Sequence, residues 1–118
     1  MGIPVYTPMG EGYPTDLIAD FKGKLNRIQV KTTENLHDDS YMTWKITHQQ
    51  GFHGNRIKYT KEEVDYFALY CLETKGLYLV PYDKAKTNEL VIRLDSYEGV
   101  RTKVMKFESE YKFENFVY

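Results

Sequence analysis

The chain has 118 residues, a formal net charge of -1 and 42% hydrophobic residues. That size suits one compact domain with a modest core (1–118 read as a single unit), and the balanced charge argues against a bulk polyanion binder while leaving room for a local basic surface. No apolar run approaches the roughly 18–20 residues of a membrane span, and the start, MGIPVYTPMGEG, lacks the basic-then-apolar build of a secretory signal. One cysteine, Cys71, excludes an internal disulfide and a multi-cysteine zinc site, and fits a reducing, cytoplasmic compartment.

In chain order, residues 3–6 read as a short strand and residues 7–15, with two prolines and two glycines, as a loop. Leu17, Ala19 and Phe21 then alternate with Ile18 and Asp20, and Ile28 and Val30 alternate with Arg27, Gln29 and Lys31. Period-two alternation on both sides of Lys22-Gly23-Lys24 predicts a β-hairpin. An even-length turn of two or four residues places Leu17, Ala19, Phe21, Ile28 and Val30 on one apolar face, with Asp16, Gln29 and Lys31 on the other. An odd turn would put Asp16 among the apolar residues, so burial favours the even register. A four-residue turn at Lys22 to Leu25 sets Asp16 opposite Lys31 and Asp20 opposite Arg27. In the plainest reading these are two cross-strand ion pairs.

Thr32 to Ser40 is polar and reads as a turn ending in Asp38-Asp39-Ser40. Tyr41 to Thr47 alternates as a strand, with Trp44 in the core. His48 to Tyr59 reads as an irregular loop. Its histidines His48 and His53, with Lys45, Arg56, Lys58 and Lys61, form either a DNA-contacting segment working through phosphate contacts or a solvated loop. Thr60-Lys61-Glu62-Glu63 is a capping-box signature, expected to cap a single helical turn before a buried strand from Val64 to Cys71, although a helix over 61–72 competes. Glu73 to Gly76 is a turn and Leu77 to Pro81 a strand, making 64–81 a second hairpin. A polar connection with a possible helical turn follows over 83–89, then a strand over 90–95. Val104, Phe107 and Tyr111 recur near helical spacing and predict a helix within 103–116.

The order of these segments resembles a known family. Thr15-Asp16-Leu17, a turn, and Ile28-Gln29-Val30-Lys31-Thr32-Thr33, followed by Asp65-Tyr66-Phe67-Ala68, Tyr70-Cys71 and Leu77-Tyr78-Leu79-Val80-Pro81, are similar to the PD-(D/E)XK nuclease superfamily. Within it they resemble the branch of group I intron-encoded homing endonucleases and Holliday-junction-resolvase-like proteins, over residues 3–95. The resemblance implies an α/β fold with a restriction-endonuclease-like core, a mixed, largely antiparallel sheet and few flanking helices. It implies that Asp16 and Gln29, with the carbonyl of Val30, are the metal ligands, Gln29 standing where a second acid is usual. Lys31 matches the lysine that assists the attacking water or the phosphate.

By the same resemblance the cofactor is Mg2+, with Mn2+ as a substitute, the substrate is DNA, and the active form is a homodimer or higher homo-oligomer. Family members usually carry a helix before the first strand that supplies a glutamate. That helix is expected to be missing, with Glu11 as the only carboxylate upstream of Asp16. The expected activity is metal-dependent DNA hydrolysis by Asp16, Gln29 and Lys31. The alternative is a nuclease-derived binding module that does not cut.

Overall fold

The computed structural model describes residues 4–7, 16–21, 23–49 and 56–117, the side chains of 48, 49, 56, 116 and 117 excepted. Ile3, the loop over 8–15 with Glu11 and Thr15, Lys22 and His53 lie outside the described residues, as do the side chains of His48 and Arg56. The strands are β1 (Val5–Tyr6), β2 (Leu17–Phe21), β3 (Lys24–Thr33), β4 (Tyr41–Lys45), β5 (Thr47–Gln49), β6 (Arg56–Lys58), β7 (Tyr66–Cys71), β8 (Leu77–Pro81), β9 (Glu89–Arg93) and β10 (Lys106–Phe107). Two single-turn helices follow, α1 (Glu108–Tyr111) and α2 (Glu114–Val117). No helix among the described residues is long and apolar enough to cross a membrane.

The main sheet has the order β1-β2-β3-β7-β8 and is antiparallel except at the parallel β3–β7 pair, the mixed, largely antiparallel arrangement expected. β3, ten residues long, is its axis: its first half pairs with β2 and its second half with β7. The crossover between the parallel strands carries β4, β5 and β6. β4, β9 and β10 form a second sheet, in the order β10-β9-β4.

The β2–β3 register is even, but the turn has two residues, 22–23, not four. Phe21 pairs with Lys24 and Leu17 with Ile28. Gly23 closes the turn at φ 76, a conformation that L side chains resist. Asn26, fully buried, donates from Nδ2 to the carbonyls of Phe21 and Lys24, both at 3.1 Å, and so ties off the strand ends around the turn. Relative to the four-residue expectation the pairing slides by two residues. Asp20 therefore faces Leu25, Arg27 faces Ile18, and Asp16 is carried opposite Gln29 instead of Lys31.

Parity then divides the main sheet. One face presents Ala19, Phe21, Ile28 and Leu79, with Leu17, Tyr66, Ala68 and Phe113 against them, and leaves an apolar cleft of about 230 Å³ beside Val5, Val30 and Leu77. The other face buries Phe67, Leu69, Cys71, Tyr78 and Val80 against Met42, Trp44, Leu90 and Ile92 of the second sheet. Trp44 is in the core as expected, and its indole N–H donates to the Tyr70 carbonyl at 2.9 Å, joining the sheets by a hydrogen bond as well as by packing. Gln29 stands beside Phe67 and Lys31 beside Leu69, so the polar side of the hairpin lies on this thicker, better-packed face.

Three expectations are corrected. Residues 48–49 and 56–58, read as part of an irregular loop, join Thr47 in the arms of a short antiparallel hairpin, β5–β6. The expected strand over 41–47 divides at Ile46, which is buried in the core. The helix expected within 103–116 is two separate turns preceded by β10. At Lys112 the chain bridges to Tyr78, and Phe113 N–H donates to Leu77 O at 2.9 Å, so the edge of β8 claims backbone groups that a continuous helix would have used internally. The turn over 61–63 behaves as read: Thr60 N–H donates to Glu63 Oε1 at 2.9 Å and Glu63 N–H to Thr60 O at 3.0 Å, after which β7 begins.

Candidate active site

The site is built where β2 begins against the middle of β3. Asp16 N–H donates to Ile28 O at 3.0 Å, which anchors the residue just ahead of β2. Its carboxylate then turns across to β3. Gln29 Nε2 and Val30 N–H both donate to Asp16 Oδ2, each at 2.8 Å. Both bonds fall on one oxygen, Oδ2, and Asp16 is exposed. Gln29 is 8% exposed, stands beside Phe67 of β7, and is tied on its other side to Asp16 by its amide.

Lys31 follows two residues along the same face. Its Nζ donates to the Tyr59 hydroxyl at 2.9 Å. Tyr59 is buried, follows β6 directly, and packs edge-on against Phe67 with ring centroids 5.5 Å apart. Sequence pattern did not single out Tyr59. Only the crossover that folds β6 back over β7 brings residue 59 to residue 31.

Arg27 does not pair with Asp20. Its Nε and backbone N–H reach Asp65 Oδ2 at 3.1 and 2.8 Å, and Nη2 reaches Oδ1 at 3.2 Å. Asp65 N–H returns a bond to Arg27 O at 2.9 Å. This two-pronged clamp holds the start of β7 to β3 and is charge-assisted. Its bond to the Asp65 carboxylate raises the Arg27 pKa. Burial pushes the Asp65 carboxyl up, but the Arg27 side chain, backbone N–H and charge outweigh it and hold the group below its ordinary value. Asp65 belongs to a segment that the sequence singles out, but its partner became visible only with the parallel register, which sets Tyr66 beside Ile28.

Of the residues read as DNA contacts, Lys45 ends β4 and Lys58 ends β6. Both are exposed, and Lys58 pairs with Thr47, two residues beyond Lys45. Arg56 lies on β6 opposite Gln49, so the backbone places it on the same hairpin. Lys61 follows in the adjacent turn, its carbonyl accepting from Arg27 Nη2 at 3.2 Å. The structure thus gathers Lys45, Lys58 and the backbone of Arg56 around β5–β6, the hairpin that supplies the partner of Lys31.

Among the described residues no three His, Cys, Asp or Glu side chains cluster closely enough to hold a metal. What converges instead is one carboxylate and one amide, all hard oxygen and nitrogen groups on a rigid strand pair. Oxygen donors of this kind suit a cation that keeps most of its water shell, as Mg2+ does, and are a poor set for zinc.

No match is found among curated protein sequences. A solved structure of a bacterial homing endonuclease superposes with a TM-score of 0.72 at 18% sequence identity, covering 93% of this chain and 74% of that one, and so shares the fold. The family model for PD-(D/E)XK endonucleases, a group that generally works with divalent metal ions, matches residues 1–114. The chain belongs to the PD-(D/E)XK endonuclease family.

Proposed function

We propose that this chain is a Mg2+-dependent DNA endonuclease, with Mn2+ able to substitute, working from the β2–β3 hairpin. The observation that carries the reading is the convergence of Gln29 Nε2 and Val30 N–H on one oxygen of Asp16, with Lys31 on the same strand face. Asp16 Oδ1, the amide oxygen of Gln29 after a flip of its side chain, and the carbonyl of Val30 would hold the ion. When bound, a divalent ion lowers the pKa of water and neutralises phosphate charge. Asp16 fixes the ligand position relative to the strand. Gln29, buried beside β7, adds no negative charge that would repel the phosphate. Lys31 offers its ammonium to the charge that develops on the phosphate oxygens. Lys45, His53, Arg56 and Lys58 would contact the DNA backbone. Cutting both strands calls for two sites, and a homodimer or higher homo-oligomer supplies them. The buried lone thiol Cys71 accords with a cytoplasmic setting.

A second reading, a DNA- or protein-binding module of the same descent that does not cut, is favoured by one observation: the described site contains a single carboxylate. Plasmid cleavage with Mg2+ or Mn2+ separates the two. The parent chain should nick or linearise DNA, and Asp16→Ala and Lys31→Ala should both lose that activity. Variants that cut as well as the parent overturn the assigned site, and a parent that cuts no DNA leaves the binding module.

A further inference from the structure

Lys31 carries four rotatable side-chain bonds, and ordering such a side chain costs about 1.5–2 kcal/mol of conformational entropy. An ammonium that is only half exposed also needs acceptors to replace lost water. Tyr59 meets both needs. Its ring is 7% exposed, packed edge-on against Phe67 at an interplanar angle of 71°, and Phe67 is itself the strand neighbour of Gln29. The Lys31 Nζ lies 2.9 Å from the hydroxyl and 5.0 Å from the ring centroid, so it sits at the oxygen end of the ring and not over its face.

We infer that Tyr59 is a positioning residue, which holds the ammonium of Lys31 at the strand face shared with Asp16 and Gln29 and couples its placement to the β5–β6 hairpin. The inference rests on the role given to Lys31 under the proposed function. The chemistry of the acceptor supports it. A carboxylate in this place would grip the ammonium harder but cancel the positive field that a phosphate requires, whereas a phenol oxygen is neutral and leaves the charge in force. The anchor is stiff, because a packed tyrosine has only two torsions. The placement also links binding to chemistry. Tyr59 directly follows Lys58, so a hairpin settling on DNA carries the anchor of Lys31 with it.

The variant Tyr59→Phe keeps the ring and removes only the hydroxyl. Three quantities are compared with the parent: the single-turnover cleavage rate with Mg2+, the dissociation constant for the same DNA duplex in EDTA, and the nuclear magnetic resonance order parameter of the Lys31 ammonium nitrogen. The cleavage rate should fall about 10- to 100-fold, the scale of a misplaced reacting group. The dissociation constant should stay within about twofold and the order parameter should drop. An unchanged rate in a parent that cuts overturns the inference. So does a rate loss matched by an equal loss of DNA affinity, which makes Tyr59 a DNA contact. An unchanged order parameter overturns it whether or not the protein cuts, whereas a parent without cleavage overturns only the nuclease reading.

Discussion

Asp16 is held by two donors on a single oxygen, so the strand pair fixes its direction. Exchanging that acceptor for an amide should remove the anionic ligand while preserving shape. Asp16→Asn is expected to lose at least about 100-fold in metal-dependent cleavage, the scale on which single charged groups act at a reacting phosphate. Its melting temperature should stay close to that of the parent, because the residue is exposed.

Asp65 is the opposite case, a carboxylate whose work is structural. With its pKa depressed below the ordinary 3.8, the unfolded chain binds the proton more readily than the folded one. The Arg27–Asp65 clamp therefore stabilises the fold above that value, and its contribution is lost as pH falls through the depressed folded value. Asp65→Asn should cost about 1–3 kcal/mol at neutral pH, the range for hydrogen bonds to charged groups. Chemical denaturation at pH 7 and again near pH 3 checks this: the gap between variant and parent should shrink in acid.

At the scale of elements, the hairpin turn sets where every site residue falls. Gly23 takes a positive φ with open space around it, so Gly23→Ala should cost only the conformational penalty, about 1–2 kcal/mol, without a clash. Asn26 bears more of the load. It is fully buried and donates two bonds across the turn, although its Oδ1 has no partner among the described residues. Asn26→Ala should destabilise by about 1–3 kcal/mol through the orphaned carbonyls. It should also lower cleavage, since a turn released to a different length moves Asp16 away from Gln29. Urea denaturation paired with the plasmid assay tests both effects.

The same scale explains the divided C-terminal segment. Val104 is 84% exposed, so the near-helical recurrence of Val104, Phe107 and Tyr111 was not one buried stripe. The pairings of β10 with β9 and of Lys112 with Tyr78 dictated the path.

For the whole molecule, the decisive contact is between the two sheets. Trp44 is 2% exposed, packs near Tyr78 with ring centroids 6.0 Å apart, and donates across to β7. Trp44→Phe should cost about 2–4 kcal/mol, combining a cavity with an unpaired carbonyl. Because the polar face of β3 rests on this core, the loss should reach the site as well, visible as a lower melting temperature together with weaker cleavage. Tyr78, beneath the second sheet, has its pKa pushed up to about 12, first by burial and then by the Glu108 charge. A raised folded pKa means that this stabilisation is complete below pH 10 and drains away as pH rises toward 12. Alkaline unfolding followed by tyrosinate absorbance should begin in that window.

Alternation alone was enough to recover the two hairpins, the even parity of the first, the buried strand at Tyr66–Cys71 and the core position of Trp44, because those features follow from which face must leave water. Turn length was not legible, since two and four residues give identical faces and differ only by a slide along the strand. The choice depended on Gly23 and on Asn26, whose buried amide has no signature in a hydrophobic pattern. The β5–β6 arms were missed because they are short and polar.

By itself, then, the sequence determined that Asp16, Gln29 and Lys31 share one face of a hairpin, since side-chain direction along a strand is local. Which partners those residues meet was decided by the tertiary structure. The parallel β3–β7 register brought Asp65 to Arg27, and the crossover brought Tyr59 to Lys31, contacts between residues 38 and 28 positions apart that no local rule can supply.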